Sequence, residues 1–421
     1  MGSFIDHQEV LDTLEHAKKN KSNYELISQI IAKARECKGL THREAAVLLE
    51  CDSQEHNHQI EELAKHIKEK FYGKRIVMFA PLYLSNYCVN GCIYCPFHLN
   101  NKNIERKKLS QEEICREVIA LQDMGHKRLA LEAGEDPDSN PIEYILESID
   151  TIYKNADIRR VNVNIAATSV ENYRKLRGAG IGTYILFQET YHRETYEKLH
   201  PSGPKHDYDY HSYSMDRAME GGIDDVGIGV LFGLYSPAYD LTGLLMHAEH
   251  LEEVFGVGPH TISVPRVLPS NKVSDETFAK IVAIIRIAVP YTGMIISTRE
   301  NMQMREKILA LGVSQISGGS RTSVGGYSSL PEEGNAQFEV MDTRTLDEIV
   351  AWLLNLGYMP SFCTACYGQG RTGDKFMSMV KSGKIADFCN ANALATLKEY
   401  LRDYASAETR ETAHRYFRQG K

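Results

Sequence analysis

The sequence predicts an α/β protein, a (β/α)8 barrel of the TIM type with a helical extension before it and a cysteine-bearing extension after it. Three observations carry this. Short β-rich runs alternate with helical stretches eight times between residues 75 and 317. Their span of roughly 250 residues is the length of one barrel. The polar motifs follow the ends of the runs, where barrel active sites are built. Doubly wound sheets share the alternation, and periodicity leaves them open. The expected division is 1–73, an N-terminal helical cover; 74–340, the barrel; and 341–421, a C-terminal helical domain with a second cysteine group.

In chain order, Asp12-Thr13-Leu14-Glu15 and Ser22-Asn23-Tyr24-Glu25 offer polar helix starts. Thr41-His42-Arg43-Glu44 is a capping box, and 60–71 is amphipathic. Strands are expected at 75–80, 128–132, 160–165, 183–187, 225–231, 260–267, 293–297 and 314–317. Helices are expected from Ser110-Gln111-Glu112-Glu113 to Gly125 and at 169–176, 210–220, 241–255, 275–288, 300–311 and 345–356. Cys363-Thr364-Ala365-Cys366, Gly-rich Tyr367-Gly368-Gln369-Gly370, Cys389 and a helical tail follow.

The composition is ordinary for a globular chain, at 43% hydrophobic and 25% charged. A net charge of −8 gives no broad basic surface for nucleic acid or anionic membrane. No apolar run has the length of a membrane span. The start, Met1-Gly2-Ser3-Phe4-Ile5-Asp6, lacks a signal-peptide pattern and the Ser or Thr of a myristoylation site. A cytoplasmic protein is expected.

In that setting nine cysteines read as metal or redox ligands before disulfides. Cys37, Cys51 and Cys115 stand alone on apparent helices and read as packing residues. Cys88, Cys92 and Cys95 are spaced C-x3-C-x2-C. Three thiolates grip one metal centre but leave a four-ligand centre one short. Zinc closed by His98 is one reading. The spacing, Tyr94 before the last cysteine and the place after a first strand favour a 4Fe–4S cluster with one open iron. Cys363-x2-Cys366-x22-Cys389 repeats the device, with a three-cysteine zinc site as its alternative. Taken singly, Glu135 also reads as a solvated loop acid and Arg299 as a surface ion pair, and a lone His260 is more often a satisfied core histidine.

C-x3-C-x-aromatic-C after a first barrel strand resembles the radical S-adenosylmethionine (SAM) superfamily. The resemblance implies that the open iron is chelated by SAM, and that SAM is cleaved reductively to a 5′-deoxyadenosyl radical. Ala133-Gly134-Glu135 resembles the element that meets the SAM amino group; Tyr94 would lie near the adenine, Glu189 near the ribose or amino group, and Arg193 with the cofactor. The stretch 199–208, with Gly222-Ile223, Val226-Gly227-Ile228-Gly229 and Gly233-Leu234, is similar to the aromatic amino acid lyase branch. That implies cleavage of the tyrosine Cα–Cβ bond to p-cresol and dehydroglycine. Ser297-Thr298-Arg299-Glu300 resembles its substrate carboxylate clamp, and Ser317 and Ser320 would add hydrogen bonds.

The second triad, in the wording Cys-Thr-Ala-Cys-Tyr, resembles the hydrogenase-maturing subgroup of this branch. It implies a second 4Fe–4S cluster with an extra labile iron held by His260 and bridged by free cysteine. Dehydroglycine would there become carbon monoxide and cyanide for the FeFe-hydrogenase H-cluster. Implied partners are tyrosine, free cysteine, ferrous iron, an electron donor such as ferredoxin or flavodoxin, and hydrogenase maturation proteins, with no nucleic acid and no membrane. The alternatives are a 2-iminoacetate synthase of thiazole formation, a paralogue with another dehydroglycine acceptor, or a non-enzymatic cluster carrier or zinc scaffold. Pro96-Phe97-His98 stands where a Gly-aromatic-basic run is expected, and Arg321 stands in the Ser/Gly loop after strand eight.

Overall fold

The structure is a computed structural model that describes residues 3–268, 272–329, 334–368, 372–381 and 385–419. Met1-Gly2 and Gln369-Gly370 lie outside the described residues. Eight parallel strands succeed one another in chain order: β1 (Arg75–Ser85), β2 (Arg128–Ala133), β3 (Arg160–Asn164), β4 (Tyr184–Ile185), β5 (Val226–Gly229), β6 (Thr261–Ser263), β7 (Gly293–Ile296) and β8 (Gln315–Ser317). β1 bonds to both β2 and β8, so the sheet closes. Closure excludes the doubly wound arrangement. Apolar residues at alternate positions of β1 (Ile76, Met78, Ala80, Leu82 and Leu84) are buried, as a strand between barrel and outer helices requires. The helices start where polar side chains cap them. Thr41 with Glu44, Ser110 with Glu113 and Thr345 with Glu348 form complete capping boxes.

β1 is eleven residues long and pairs with three strands. Ala80–Ser85 pairs with β2, and 77–79 pairs with β8. Its first residues, 75–77, pair with a ninth strand, β9 (Met359–Ser361). The sequence pattern did not reveal β9, because a three-residue Met-Pro-Ser run with a central proline carries no strand signature. β9 sits beside the start of β1. It therefore delivers Cys363 to the N-terminal end of the barrel, whereas the loop after β1 delivers Cys88 to the C-terminal end.

The N-terminal helices His7–Lys19, His42–Glu50 and Gln54–Tyr72 pack on the barrel helices Pro237–Phe255, Asp275–Ala288 and Met302–Leu311. Helix Ile385–Asp403 packs on β9, and Ala407–Arg418 packs on Leu346–Asn355. Three local expectations change. The first helix starts at His7, because the Asp6 side chain accepts from the Gln8 and Glu9 amides; Asp12-Thr13-Leu14-Glu15 lies inside it. The stretch 210–220 is two helices, Tyr208–Ser212 and Ser214–Glu220. Cys37 and Cys51 sit just past helix ends, Cys37 with a left-handed φ of 60°, while Cys115 is helical. Among the described residues no helix is long and apolar enough to cross a membrane.

Candidate active sites at the two ends of the barrel

The upper, C-terminal end opens into a cavity of about 290 Å³. The loop after β1 supplies Cys88, Cys92, Tyr94 and Cys95 to its wall. Among the described residues, no three His, Cys, Asp or Glu side chains converge as the ligands of a single ion would. His98 is half-buried and does not line the cavity, so it does not close a Cys3His site there. Burial pushes the Cys92 thiol up to about 12 and Cys95 up to about 11, and the neighbouring thiols push the same way. Thiols so placed ionise only around a strongly cationic centre, and a 4Fe–4S cluster fits that donor set.

Asn90, between two of these cysteines, ties the loop to its surroundings. Its Nδ2 donates to Glu135 Oε2 at 2.5 Å and reaches Cys88 Sγ at 3.8 Å. Its Oδ1 accepts from the Lys205 amide at 2.9 Å. Gly134 follows from the same crowding: a Cβ there would lie 2.3 Å from the Tyr87 carbonyl oxygen. Ala133, Gly134 and Glu135 all line the cavity, and burial raises the Glu135 carboxyl. Glu189 also lines it, in a left-handed conformation at φ 69° that costs a non-glycine residue energy. Its carboxylate pairs with Lys205 Nζ at 2.7 Å, Glu189 being buried and Lys205 part-buried. Burial alone would raise Glu189, but the Lys205 charge holds it below its usual range.

Tyr94 is fixed by His200. The Tyr196 carbonyl can only accept, so His200 Nδ1 donates to it at 2.7 Å. His200 Nε2 therefore accepts from the Tyr94 hydroxyl at 2.9 Å. Burial lowers His200 to about 4, which keeps it neutral for this role.

Arg299 enters the cavity from the loop after β7, with Cζ 4.2 Å from the Phe338 ring centroid. Among the described residues no carboxylate pairs with it, and burial lowers its pKa. The next residue, Glu300, is buried and takes both Arg266 Nε at 2.7 Å and Nη2 at 2.8 Å, which anchors the loop. Ser317 lines the cavity and its Oγ accepts from the Thr298 amide at 3.2 Å. Two expected residues stand apart. Arg193 is off the cavity, in an exposed pair with Asp209 and 4.3 Å from the Tyr208 ring. Ser320 is buried but does not line the cavity, and its Oγ lacks a hydrogen-bond partner among the described residues.

Of Pro96-Phe97-His98, only Phe97 lines the cavity. Arg106 donates to the Phe97 and His98 carbonyls at 2.8 and 2.7 Å, and buried Phe97 meets Tyr83 edge-on at 6.0 Å. The Arg321 side chain is exposed and leaves the cavity clear. Sequence reasoning missed Asn90, His200 and Lys205. All three lie in quoted stretches, but nothing in the spacing pointed to their contacts.

The lower, N-terminal end holds a second cavity of about 70 Å³, whose wall brings together Cys363, Cys366, Cys389 and His260. His260 Nδ1 lies 3.3 Å from Asp225 Oδ1, which also accepts from the Gly373 amide at 3.0 Å. Burial opposes the Asp225 charge, but His260 holds its carboxyl below the usual range. A carboxylate behind an imidazole is a common support for a metal ligand. Three thiols and a backed imidazole are a fitting donor set for a cluster and a further iron. Gln315 of β8 lines both cavities. Gly293 gives it room, since a Cβ there would lie 2.4 Å from Gln315 Nε2.

Residues 82–238 match the radical SAM superfamily, and 263–359 match the biotin and thiamin synthesis associated domain. The 2-iminoacetate synthase of Salmonella typhimurium is 30% identical over 311 residues, 72% of this chain and 81% of that protein. A crystal structure of HydG, a maturase of the [FeFe]-hydrogenase, is 55% identical with a TM-score of 0.95, over 99% of this chain and 93% of that one. The FeFe-hydrogenase maturase HydG from Carboxydothermus hydrogenoformans is 42% identical with a TM-score of 0.87, over 98% and 94%. The chain therefore belongs to the radical SAM superfamily, whose enzymes use a 4Fe–4S cluster and SAM, and within it to the family of the HydG maturases.

Proposed function

We propose that the protein is a tyrosine lyase of hydrogenase maturation. It splits tyrosine between Cα and Cβ into p-cresol and dehydroglycine at the upper end. Dehydroglycine then yields carbon monoxide and cyanide for the H-cluster at the lower end. The observation that best supports this is the pairing of two cysteine triads with two cavities, the upper of which presents a guanidinium with no carboxylate partner among the described residues.

Cys88, Cys92 and Cys95 would hold the first cluster, and Ala133, Gly134, Glu135, Glu189 and Tyr94 would hold SAM. Together these groups supply a radical that removes one hydrogen atom from the substrate. The chain's own residues position the reactants. Arg299 binds the tyrosine carboxylate through two parallel hydrogen bonds, which fixes the amino group for attack. Ser317 adds a hydrogen bond. The Glu135 carboxylate complements the SAM ammonium. Phe79, Phe97 and Leu231 give the cavity apolar walls that exclude water.

At the lower end, Cys363, Cys366 and Cys389 would hold the second cluster. His260, held by Asp225, would take a labile ferrous iron bridged by free cysteine, which leaves with the product. A ferredoxin or flavodoxin would supply electrons.

Anaerobic turnover with SAM, reductant and labelled tyrosine tests this. It should give p-cresol, 5′-deoxyadenosine and carbon monoxide trapped by haemoglobin. Cluster-loaded protein that makes no p-cresol overturns the reading. p-Cresol without carbon monoxide moves it to a 2-iminoacetate synthase, the activity in the name of the Salmonella relative. About seven to nine irons per chain, two cubanes plus one iron, separates both from a zinc scaffold.

A further inference from the structure

The layers inside a barrel are ordinarily filled with bulky branched side chains. The lowest layer here is polar. Arg75 begins β1, Arg128 begins β2, His260 precedes β6, and Asp225 precedes β5; all four face the lower cavity. Three of them have visible partners. Arg128 Nη2 donates to the Cys363 carbonyl at 3.1 Å, and His260 and Asp225 hold each other. Arg75 differs. It is only 7% exposed, its Nη1 is enclosed without a hydrogen-bond partner among the described residues, and its Cζ lies 5.8 Å from the Tyr72 ring centroid.

A buried guanidinium without an anion is costly. Among the described residues no carboxylate pairs with it, and Asp225 turns its Oδ1 to His260 and the Gly373 amide. The cavity of about 70 Å³ has room for a few heavy atoms, not for a tyrosine side chain. The upper cavity shows the same device, a guanidinium without a protein carboxylate beside three thiols. Cleavage of tyrosine at Cα–Cβ leaves the carboxylate on the two-carbon fragment. The group that Arg299 grips thus survives the first reaction intact.

We infer that Arg75 is the carboxylate-binding residue of the lower cavity, and that it receives a two-carbon imino or amino carboxylate beside Cys363, Cys366, Cys389 and His260. The inference rests on the proposed tyrosine chemistry for the source of that ligand, but not for the binding site itself. The guanidinium takes both carboxylate oxygens and turns the nitrogen end toward the metal ligands. The competing role for Arg75 is to balance thiolate charge. Lysine would fill that role, but it cannot reproduce the planar two-point contact.

The test uses the full-length, cluster-loaded chain with Arg75→Met and Arg75→Lys. Binding of radiolabelled glyoxylate, a stable two-carbon carboxylate, is measured in an Arg299→Met background that removes the upper carboxylate site. Both Arg75 variants should weaken it about tenfold or more, the loss expected for one charge-assisted pair. In turnover with Arg299 intact, cyanide per p-cresol should fall about tenfold. The missing fragment should appear as glyoxylate and ammonia, from addition of water to dehydroglycine and loss of its nitrogen. Unchanged binding and an unchanged cyanide ratio in Arg75→Met overturn the inference. So does wild-type behaviour of Arg75→Lys, which would reduce Arg75 to a point charge. If Arg75→Met fails to retain iron, Arg75→Lys decides alone. If the parent enzyme makes no p-cresol, the tyrosine reading fails, and the glyoxylate binding still decides for or against Arg75.

Discussion

The two ends of the barrel use similar parts and assemble them differently. Above, three cysteines within eight residues sit in one loop. Asn90, Glu135 and Lys205 stitch that loop to β2 and to the segment after β4. Below, the triad is spread from Cys363 to Cys389 and depends on β9 pairing with the first residues of β1. Its histidine comes from the far side of the barrel, just before β6. The upper cavity, about 290 Å³, is several times the size of the lower, about 70 Å³. The difference fits the proposed function, in which the upper end starts a reaction on a sizeable substrate and the lower end finishes one on a fragment.

The largest effects should come from breaking either end outright. Cys92→Ser should take 5′-deoxyadenosine, p-cresol and carbon monoxide all to background, since each product depends on the upper cluster. Cys363→Ser with Cys366→Ser should instead spare p-cresol and abolish carbon monoxide, read by haemoglobin trapping. Carbon monoxide at the parent rate in that double variant would refute the division of labour between the ends.

Arg299→Lys comes next. Loss of the two-point contact should lower kcat/KM for tyrosine about a hundredfold, while SAM binding measured separately stays within about twofold. A change confined to SAM would move Arg299 to the cofactor. Asn90→Ala is smaller, because Asn90 positions groups and does not grip substrate. It should weaken SAM binding about tenfold by freeing Glu135 and the Lys205 segment. An equal loss in both tyrosine and SAM affinity would mean that the whole loop had collapsed.

Much of this contrast was legible in the sequence, and unevenly so. The barrel strands follow from local alternation, and all eight fall on the expected runs. The upper triad is a local motif, so its spacing alone raises the expectation of a metal centre. The lower site draws on residues more than a hundred apart, and spacing cannot show that His260 and Cys363 line one cavity. Arg193 illustrates the opposite error. It lies near Glu189 in the chain, but the helix Arg193–Leu199 turns it to the surface, where it meets Asp209. β9 stayed hidden because its proline argues against a strand, and only the free start of β1 gives it a place to pair.

The smallest predicted effect concerns protons. In the upper cavity Glu132 of β2 accepts one hydrogen bond, from Asn164 Nδ2 at 2.7 Å, and burial lifts its carboxyl from 4.5 to about 8. A raised acid binds its proton in the folded state over a range where the unfolded chain has lost it. Its contribution to stability is therefore full below about pH 4.5 and is lost as pH rises through about 8. Glu132→Gln cannot titrate. Other buried groups, such as Asp240, raised to about 7, affect parent and variant alike and cancel in the difference. The variant's melting temperature should thus gain on the parent's between pH 5 and 8, by on the order of a few °C, and the gap should level off above that. Parallel curves would place the Glu132 proton in the unfolded range and remove this contrast between the ends. A gap that opens marks the upper cavity as the end that keeps a carboxyl neutral, while the lower one keeps Asp225 charged against its histidine.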